Sequence, residues 1–372
     1  MSNEGVARGL AGIVVAQSRM SFIDGEKGEL IYRGYDIHEL TKKATFEDVV
    51  HLLWYGEAPT KAQSQQLREA LAAEAQLPVE VVEILRSGAR RATPMEALRT
   101  AVSALAYSDS NKDDDGRDAT LRRALRIQAK IPFIVTAFHR LRTWSEPLRP
   151  DPSLSIAGNF LLTLTGKRPD KVAERVLDRC LILHADHGFN ASTFTARVVM
   201  STRSDLYSAI TAAIGSLKGP LHGGANTAVM KMLQEIGDAS RAEAAIDKLL
   251  GAGERIMGFG HRVYKGDDPR ATWLRKMSAE LGESTGNKTW FALSERIESI
   301  VKQRKGLNCN VDFYSASVYH YLGIPGDLFT PIFAISRTAG WVGHAIEQII
   351  DAALIRPRAE YVGPRGLTWP GA

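Results

Sequence analysis

The chain has 372 residues, of which 44% are apolar, 24% charged and 8% aromatic. These values describe a packed globular protein of two domains, or of one large domain with an insertion, and exclude disordered, collagen-like and coiled-coil chains. Its 47 basic and 42 acidic side chains leave a net charge of +5, too small an excess at this length to point to a nucleic-acid partner.

The N-terminal segment MSNEGVARGLAGIVVAQS carries an early acid and no sustained apolar core, so neither a secretory leader nor a membrane anchor is expected. Residues 13–15, 19–23 and 30–32 read as strands, with Asp24, Gly25, Glu26, Lys27 and Gly28 supplying the turn between the last two. Helices then dominate. Thr45 is placed to cap a helix whose apolar face is Phe46, Val49, Val50, Leu53 and Trp54, with Gly56 as its stop, and Thr93-Pro94 opens another running to Tyr107. Residues 109–118 form a polar loop. The helix beginning near Ala119 meets Pro132 and is expected to kink or break there, while the proline-rich stretch 146–152 reads as a linker. From 153 to 216 the pattern is helical again, until Gly219-Pro220-Leu221-His222-Gly223-Gly224 interrupts it before a helix carrying Val229, Met232, Leu233 and Ile236. The fold class is therefore mainly α.

Cys180 and Cys309 lie in unlike segments without C-x-x-C spacing, which suits reduced thiols in a cytoplasmic protein. Of nine histidines, His222 and His261 stand out because glycines flank both, where main chain can approach a bound group. Both lie at or near an expected helix start, a setting that disfavours imidazolium and suits a neutral ring donating to a developing oxyanion. Asp268-Pro269 opens a helix with Arg270 in its first turn, where free amides and a guanidinium can share an anion such as a carboxylate. Arg337 sits in a strongly apolar helical stretch, 330–355, and needs a partner; Glu347 and Asp351 are the internal choices. Arg356 at the end of that stretch is placed to cap it. Asp312, flanked by Val311 and Phe313, is a carboxylate whose setting raises its pKa toward that of a general base, although an Asp beside Asn310 is also a common helix cap. His184, Asp186 and His187 have spacing compatible with a metal but lack a further ligand, so no metal site is expected. Gly258-x-Gly260 lacks a third glycine for a dinucleotide fingerprint, and P-loop and G-x-S-x-G patterns are missing.

Five segments in order, Pro220-Leu-His222-Gly-Gly-Ala-Asn226, Gly258-Phe-Gly-His261-Arg-Val-Tyr264, Asp268-Pro-Arg270, Asn310-Val-Asp312-Phe-Tyr314 and Ser336-Arg337, resemble the successive signatures of citrate synthases. The similarity extends over nearly the whole chain. It implies a many-helix fold with a discontinuous large domain, 1–218 and 318–372, and a small domain, 219–317, that closes over a cleft. It also implies a homodimer or an assembly of dimers.

The reaction implied is condensation of acetyl-CoA with oxaloacetate and hydrolysis of the citryl thioester, with Si stereochemistry and no tightly bound cofactor. By resemblance, Asp312 is the base toward the acetyl methyl, His222 hydrogen-bonds the thioester oxygen, and His261 protonates the ketone. His187, Arg270 and Arg337 correspond to oxaloacetate contacts, and Arg356 to a contact from the neighbouring subunit. Ile256, Met257, Gly258, Phe259 and Gly260 correspond to the adenine-binding backbone of CoA. Lys302, Arg304 and Lys305 form a basic cluster suited to CoA phosphates, or to plain solvation. Asn308-Cys309 replaces the Tyr-Pro of many relatives, and Gly188 stands where an acidic or bulkier residue is frequent; neither removes a reacting group. The alternative reading is a 2-methylcitrate synthase using propionyl-CoA, since one methylene in an apolar pocket discriminates by only about 1–3 kcal/mol.

Overall fold

The computed structural model describes residues 7–10, 12–110, 116–261 and 263–370. Part of the expected polar loop 109–118, and Arg262 of the second signature, lie outside the described residues. Three strands form one antiparallel sheet: β1 (Ser21–Asp24), β2 (Glu29–Tyr32) and β3 (Tyr35–Asp36). Ser21 pairs with Tyr32 and Asp24 with Glu29 across the hairpin. The Asp24 carboxylate accepts both the Glu26 and Lys27 amides and holds the turn closed. The expected strand at 13–15 is not one: Ile13, Val14 and Val15 run exposed with no strand partner, because an apolar triplet without a neighbouring strand has nothing to pair with. For the same reason the expected 19–23 strand starts only at Ser21, where Tyr32 lies opposite.

Sixteen α-helices follow among the described residues: α1 (Ile37–Lys43), α2 (Phe46–Tyr55), α3 (Lys61–Glu74), α4 (Val79–Gly88), α5 (Pro94–Ala104), α6 (Gly116–Arg142), α7 (Ile156–Thr165) and α8 (Lys171–His184). Then come α9 (Ala191–Ser201), α10 (Leu206–Leu217), α11 (Ala225–Ile236), α12 (Ala242–Gly251), α13 (Pro269–Ser284), α14 (Thr289–Lys305), α15 (Val311–Tyr321) and α16 (Phe329–Asp351). Thr45 and Asp48 close a reciprocal capping box on α2, and Gly56 ends it in the left-handed conformation. Beyond α5 the chain tightens into a 3-10 turn, Leu105–Ser108, instead of continuing as α-helix to Tyr107.

Pro132 does not break its helix, which runs through it for 27 residues. Proline costs a helix interior about 3 kcal/mol, but Ile131, Phe133, Ile134 and Val135 are all buried around it, and their burial at about 1.5–3 kcal/mol each exceeds that cost. The centre of the molecule is α16, buried without interruption from Phe329 to Ile346 and packed against α2, α6, α8, α9 and α10. A helix apolar on all sides has to be wrapped by others. A second group, α11 to α15, packs chiefly on itself, α13 and α14 against α15 and α12 against α14. Where α13 meets α8 and α11 meets α16, His187, His222, His261 and Asp312 all come under the charge of Arg270 or Arg337. No helix among the described residues is long and apolar enough to cross a membrane.

Candidate active site

His222 lies in the turn that ends two residues before α11, its amide bonded to the Gly219 carbonyl. The turn requires glycine at 223, since a Cβ there would lie 2.3 Å from the Leu217 carbonyl oxygen. His222 Nε2 accepts the Ser192 amide at 3.3 Å and lies 2.8 Å from Ser192 Oγ. Ser192 sits in the first turn of α9, capped by Asn190. The helix start that acts on this ring is therefore that of α9 rather than α11. With Nε2 accepting an amide, the proton resides on Nδ1. Burial, aided by the positive charge of Arg337, pushes the ring down to about 4, so it is neutral at physiological pH.

His261 is not at a helix start; it lies in a loop eight residues before α13. Its neutrality has another origin. Nδ1 accepts the Val263 and Tyr264 amides at 3.0 and 3.1 Å, which leaves Nε2 as the protonated donor, and burial with the charge of Arg270 lowers the ring to about 4. The preceding strand-like segment is bonded to the chain just before Asp312: Gly260 N to Asn308 O, Asn310 N to Gly258 O, and Asn310 Nδ2 to Gly260 O. Gly258 has φ +84°, and a Cβ there would sit 2.8 to 2.9 Å from Val229 and Phe313, so only glycine allows this approach. Ile256 and Gly258 are buried, Met257 and Gly260 half-buried, and Phe259 packs on Phe313 with ring centres 4.5 Å apart.

Asp312 stands in the first turn of α15, whose cap is Asn310, not Asp312 itself. No described donor meets its carboxylate. Burial pushes it up to about 6; Arg270 and Arg337 pull it down and Asp268 pushes it up. A carboxyl at that level is ionised at neutral pH and basic enough to take a proton.

Arg270 and Arg337 are both buried. Arg337, on α16, pairs with neither Glu347 nor Asp351: its Nε donates to the His184 carbonyl at 2.7 Å, its plane lies over Phe333, and its Nη2 is buried without a partner. Glu347 is taken by Ser18, Arg19 and Arg197 instead. Desolvation brings Arg337 down to about 10, still charged at neutral pH. Arg270 does not leave its first-turn amide open to an external anion, because Asp268 fills that place with a bidentate pair.

His187 touches the same cluster. Its ring is 5.4 Å from that of His261, and its Nε2 is 3.2 Å from the Tyr264 hydroxyl. Burial and the charges of Arg270 and Arg337 hold it well below the usual histidine range. His184, Asp186 and His187 diverge: His184 Nδ1 bonds the Cys180 carbonyl, Asp186 takes Ser21 Oγ and lies 3.3 Å from His344, and His187 faces Tyr264. Arg356 is exposed beyond the end of α16, apart from the cluster; α16 is closed by Ala352, not by Arg356. Lys302 and Lys305 are exposed on the last turns of α14, and Arg304 is paired with Glu243 and Asp247.

Ser192, Tyr264 and the ion-pairing role of Asp268 do not stand out in the sequence. Ser192 shows there only as part of Asn190-Ala-Ser192, formally a glycosylation sequon; nothing in the order of residues links it to His222, thirty positions away. Tyr264 lies within a signature but carries no spacing cue of its own.

Comparison with known proteins adds to this geometry. Residues 9–358 match the family described as "Citrate synthase, C-terminal domain". Citrate synthase 2 of Bacillus subtilis is 52% identical over 96% of each chain, and the citrate synthase of Haloferax volcanii is 48% identical over 99% of this chain and 98% of that one. A citrate/2-methylcitrate synthase of Bacillus subtilis is 40% identical over 96% of each. The citrate synthase of Thermoplasma acidophilum, solved with carboxymethyl coenzyme A and oxaloacetate, superposes with a TM-score of 0.92 at 32% identity, covering 99% of this chain and 98% of that one.

Proposed function

The chain belongs to the citrate synthase family, and from that premise we propose that the cluster of His222, His261, Asp312, Arg270 and Arg337 condenses acetyl-CoA with oxaloacetate. Asp312 removes a methyl proton of the acetyl group while His222 Nδ1–H donates to the thioester oxygen, stabilising the enol as charge moves there. The enol carbon attacks the oxaloacetate ketone carbon, and the ketone oxygen takes the proton of His261 Nε2, the proton that Asp312 took from the methyl group making good that loss before the next turnover. Water then cleaves the citryl thioester to citrate and CoA. The observation that carries this reading is the arrangement of donors: each of the two imidazoles has one ring nitrogen accepting backbone amides and the other left to donate, and Asp312 is a carboxylate that burial pushes up, which gives a base and two neutral donors at one pH.

Arg337, with a buried Nη2 lacking a partner, and Arg270 hold the two carboxylates of oxaloacetate, with His187 beside them. Exposed Arg356 reaches the site from the neighbouring subunit of a homodimer. Residues 219–317 form the small domain that closes on 1–218 and 318–372 and excludes water; the mutual packing of α11 to α15 supports that division. CoA lies along Ile256 to Gly260, with Lys305 near its phosphates, and is a co-substrate, no cofactor being tightly held. The two buried free thiols suit a cytoplasmic setting. Steady-state kcat/KM for acetyl-CoA and propionyl-CoA tests the acyl specificity: acetyl-CoA is the better substrate, and a clear propionyl preference would make the chain a 2-methylcitrate synthase.

A further inference from the structure

Asp268 is 1% exposed, and its carboxylate accepts four hydrogen bonds. Oδ1 takes the Arg270 amide at 3.0 Å and Arg270 Nε at 2.9 Å. Oδ2 takes Arg270 Nη2 at 2.8 Å and the Val311 amide at 3.1 Å. One carboxylate thus closes the N-termini of two helices, α13 and α15, and the residue following Val311 is Asp312. With Nε and one Nη2 hydrogen committed, the Arg270 guanidinium keeps three N–H groups, and no described protein acceptor meets Nη1.

We propose that Asp268 is a positioning residue for the condensation, fixing Arg270 with one edge free for a substrate carboxylate and, through Val311, setting Asp312 against that substrate. The inference rests on the function proposed above. Its physical core is competition for Arg270. The Arg270 charge already acts on Asp312, and an opposite charge in contact lowers a carboxyl by about 1–3 pKa units. An Arg270 released from Asp268 is drawn to Asp312 and suppresses it as a base. Asp268 prevents this by being the nearer partner, and its own negative charge raises Asp312 further.

The other groups around Asp312 do not replace it. Arg337 faces it from α16 and acts to lower it, and Tyr319 lies on its own helix. Glu298 of α14 is bound to Tyr314 and Cys309, and on α11 the exposed Lys231 and Glu235 pair with each other.

The test is Asp268→Asn in the full chain. Between about tenfold and a hundredfold increase in the KM for oxaloacetate is expected, the scale for a displaced binding group, together with movement of the acid limb of kcat to lower pH. Loss of thermal stability with unchanged oxaloacetate KM and unchanged pH limb would overturn the proposal. Asp268→Ser keeps a capping oxygen without the charge and gives the same two readouts should the Asn variant fail to fold. Titration of the wild-type protein by carboxyl NMR on 13C-aspartate needs neither variant nor activity: Asp268 stays ionised while Asp312 takes up its proton, and an Asp268 that titrates first contradicts the proposal. Wild-type protein without oxaloacetate-dependent turnover would defeat the function, whereas this titration reads the charge arrangement by itself.

Discussion

Arg270 and Arg337 are almost equally buried, at 2% and 1% exposure, yet one lies against a carboxylate and the other does not. Burial works to strip the Arg270 proton, but Asp268 outweighs it and holds the group above its ordinary value. Arg337, bonded to a backbone carbonyl and stacked on the Phe333 ring, falls to about 10, because desolvation outweighs the charge of Asp186, which it does not contact directly. An unpaired buried charge costs several kcal/mol, and α16, apolar on every side, gains nothing in stability from carrying one. The difference separates an arginine fixed by a carboxylate of the protein from one whose Nη2 is buried without a described partner.

The sharpest way to break this comparison is to remove each charge in turn. Arg270→Leu strands Asp268 in the core and is expected to lower unfolding stability by about 3–5 kcal/mol, the usual cost of breaking a buried pair. Arg337→Leu breaks no direct ion pair, Asp186 keeping Ser21 and His344 beside it, and is expected to cost only about 1 kcal/mol, the scale of one lost hydrogen bond. Both variants raise the KM for oxaloacetate. Denaturant unfolding followed by steady-state kinetics reads the two effects separately, and equal destabilisation by the two substitutions would remove the distinction.

Asp312 feels both arginines and gives the next largest effect. Asp312→Asn is expected to lower kcat by at least about a hundredfold, the scale of a positioned general base. It should also stabilise the fold by up to about 3 kcal/mol, because a carboxyl raised from 3.8 to about 6 is ionised at neutral pH against an unfavourable environment. Near-normal turnover would refute the role.

The smallest effect is the pH profile. Asp312 acts only when ionised, so kcat/KM falls as pH drops below about 6, with His222 and His261 neutral down to about 4. Their folded pKa values lie below the unfolded value of 6.5, so the unfolded chain takes up protons first. The stability these rings contribute is complete above 6.5 and is lost as pH falls from there toward 4. Asp312 has the opposite sign, its cost being full above 6 and relieved toward 3.8. Activity persisting to pH 5 without loss would contradict the Asp312 assignment.

Local chemistry was legible in the sequence and long-range pairing was not. Thr45, Gly56, Thr93-Pro94 and Asp268-Pro269 mark helix ends because a cap acts on amides within three or four residues. Residues 13–15 misled because strand formation depends on a partner that alternation alone does not reveal. Pro132 misled because packing outweighed a local penalty. The glycines beside His222 and His261 marked the right loops, but what sets each ring is a contact the sequence order hides: the start of α9 for one, two amides of its own turn for the other. Arg337 was visible as a charge in an apolar helix; that Glu347 was already engaged by Ser18 and Arg197 became visible only once the chain was folded.

The most direct measurement is release of CoA thiol from acetyl-CoA by the purified protein, with and without oxaloacetate. Rapid release that depends on oxaloacetate, with citrate formed in equal amount, is the expected result. Release that is independent of oxaloacetate, or no release with both substrates present, would contradict the assignment.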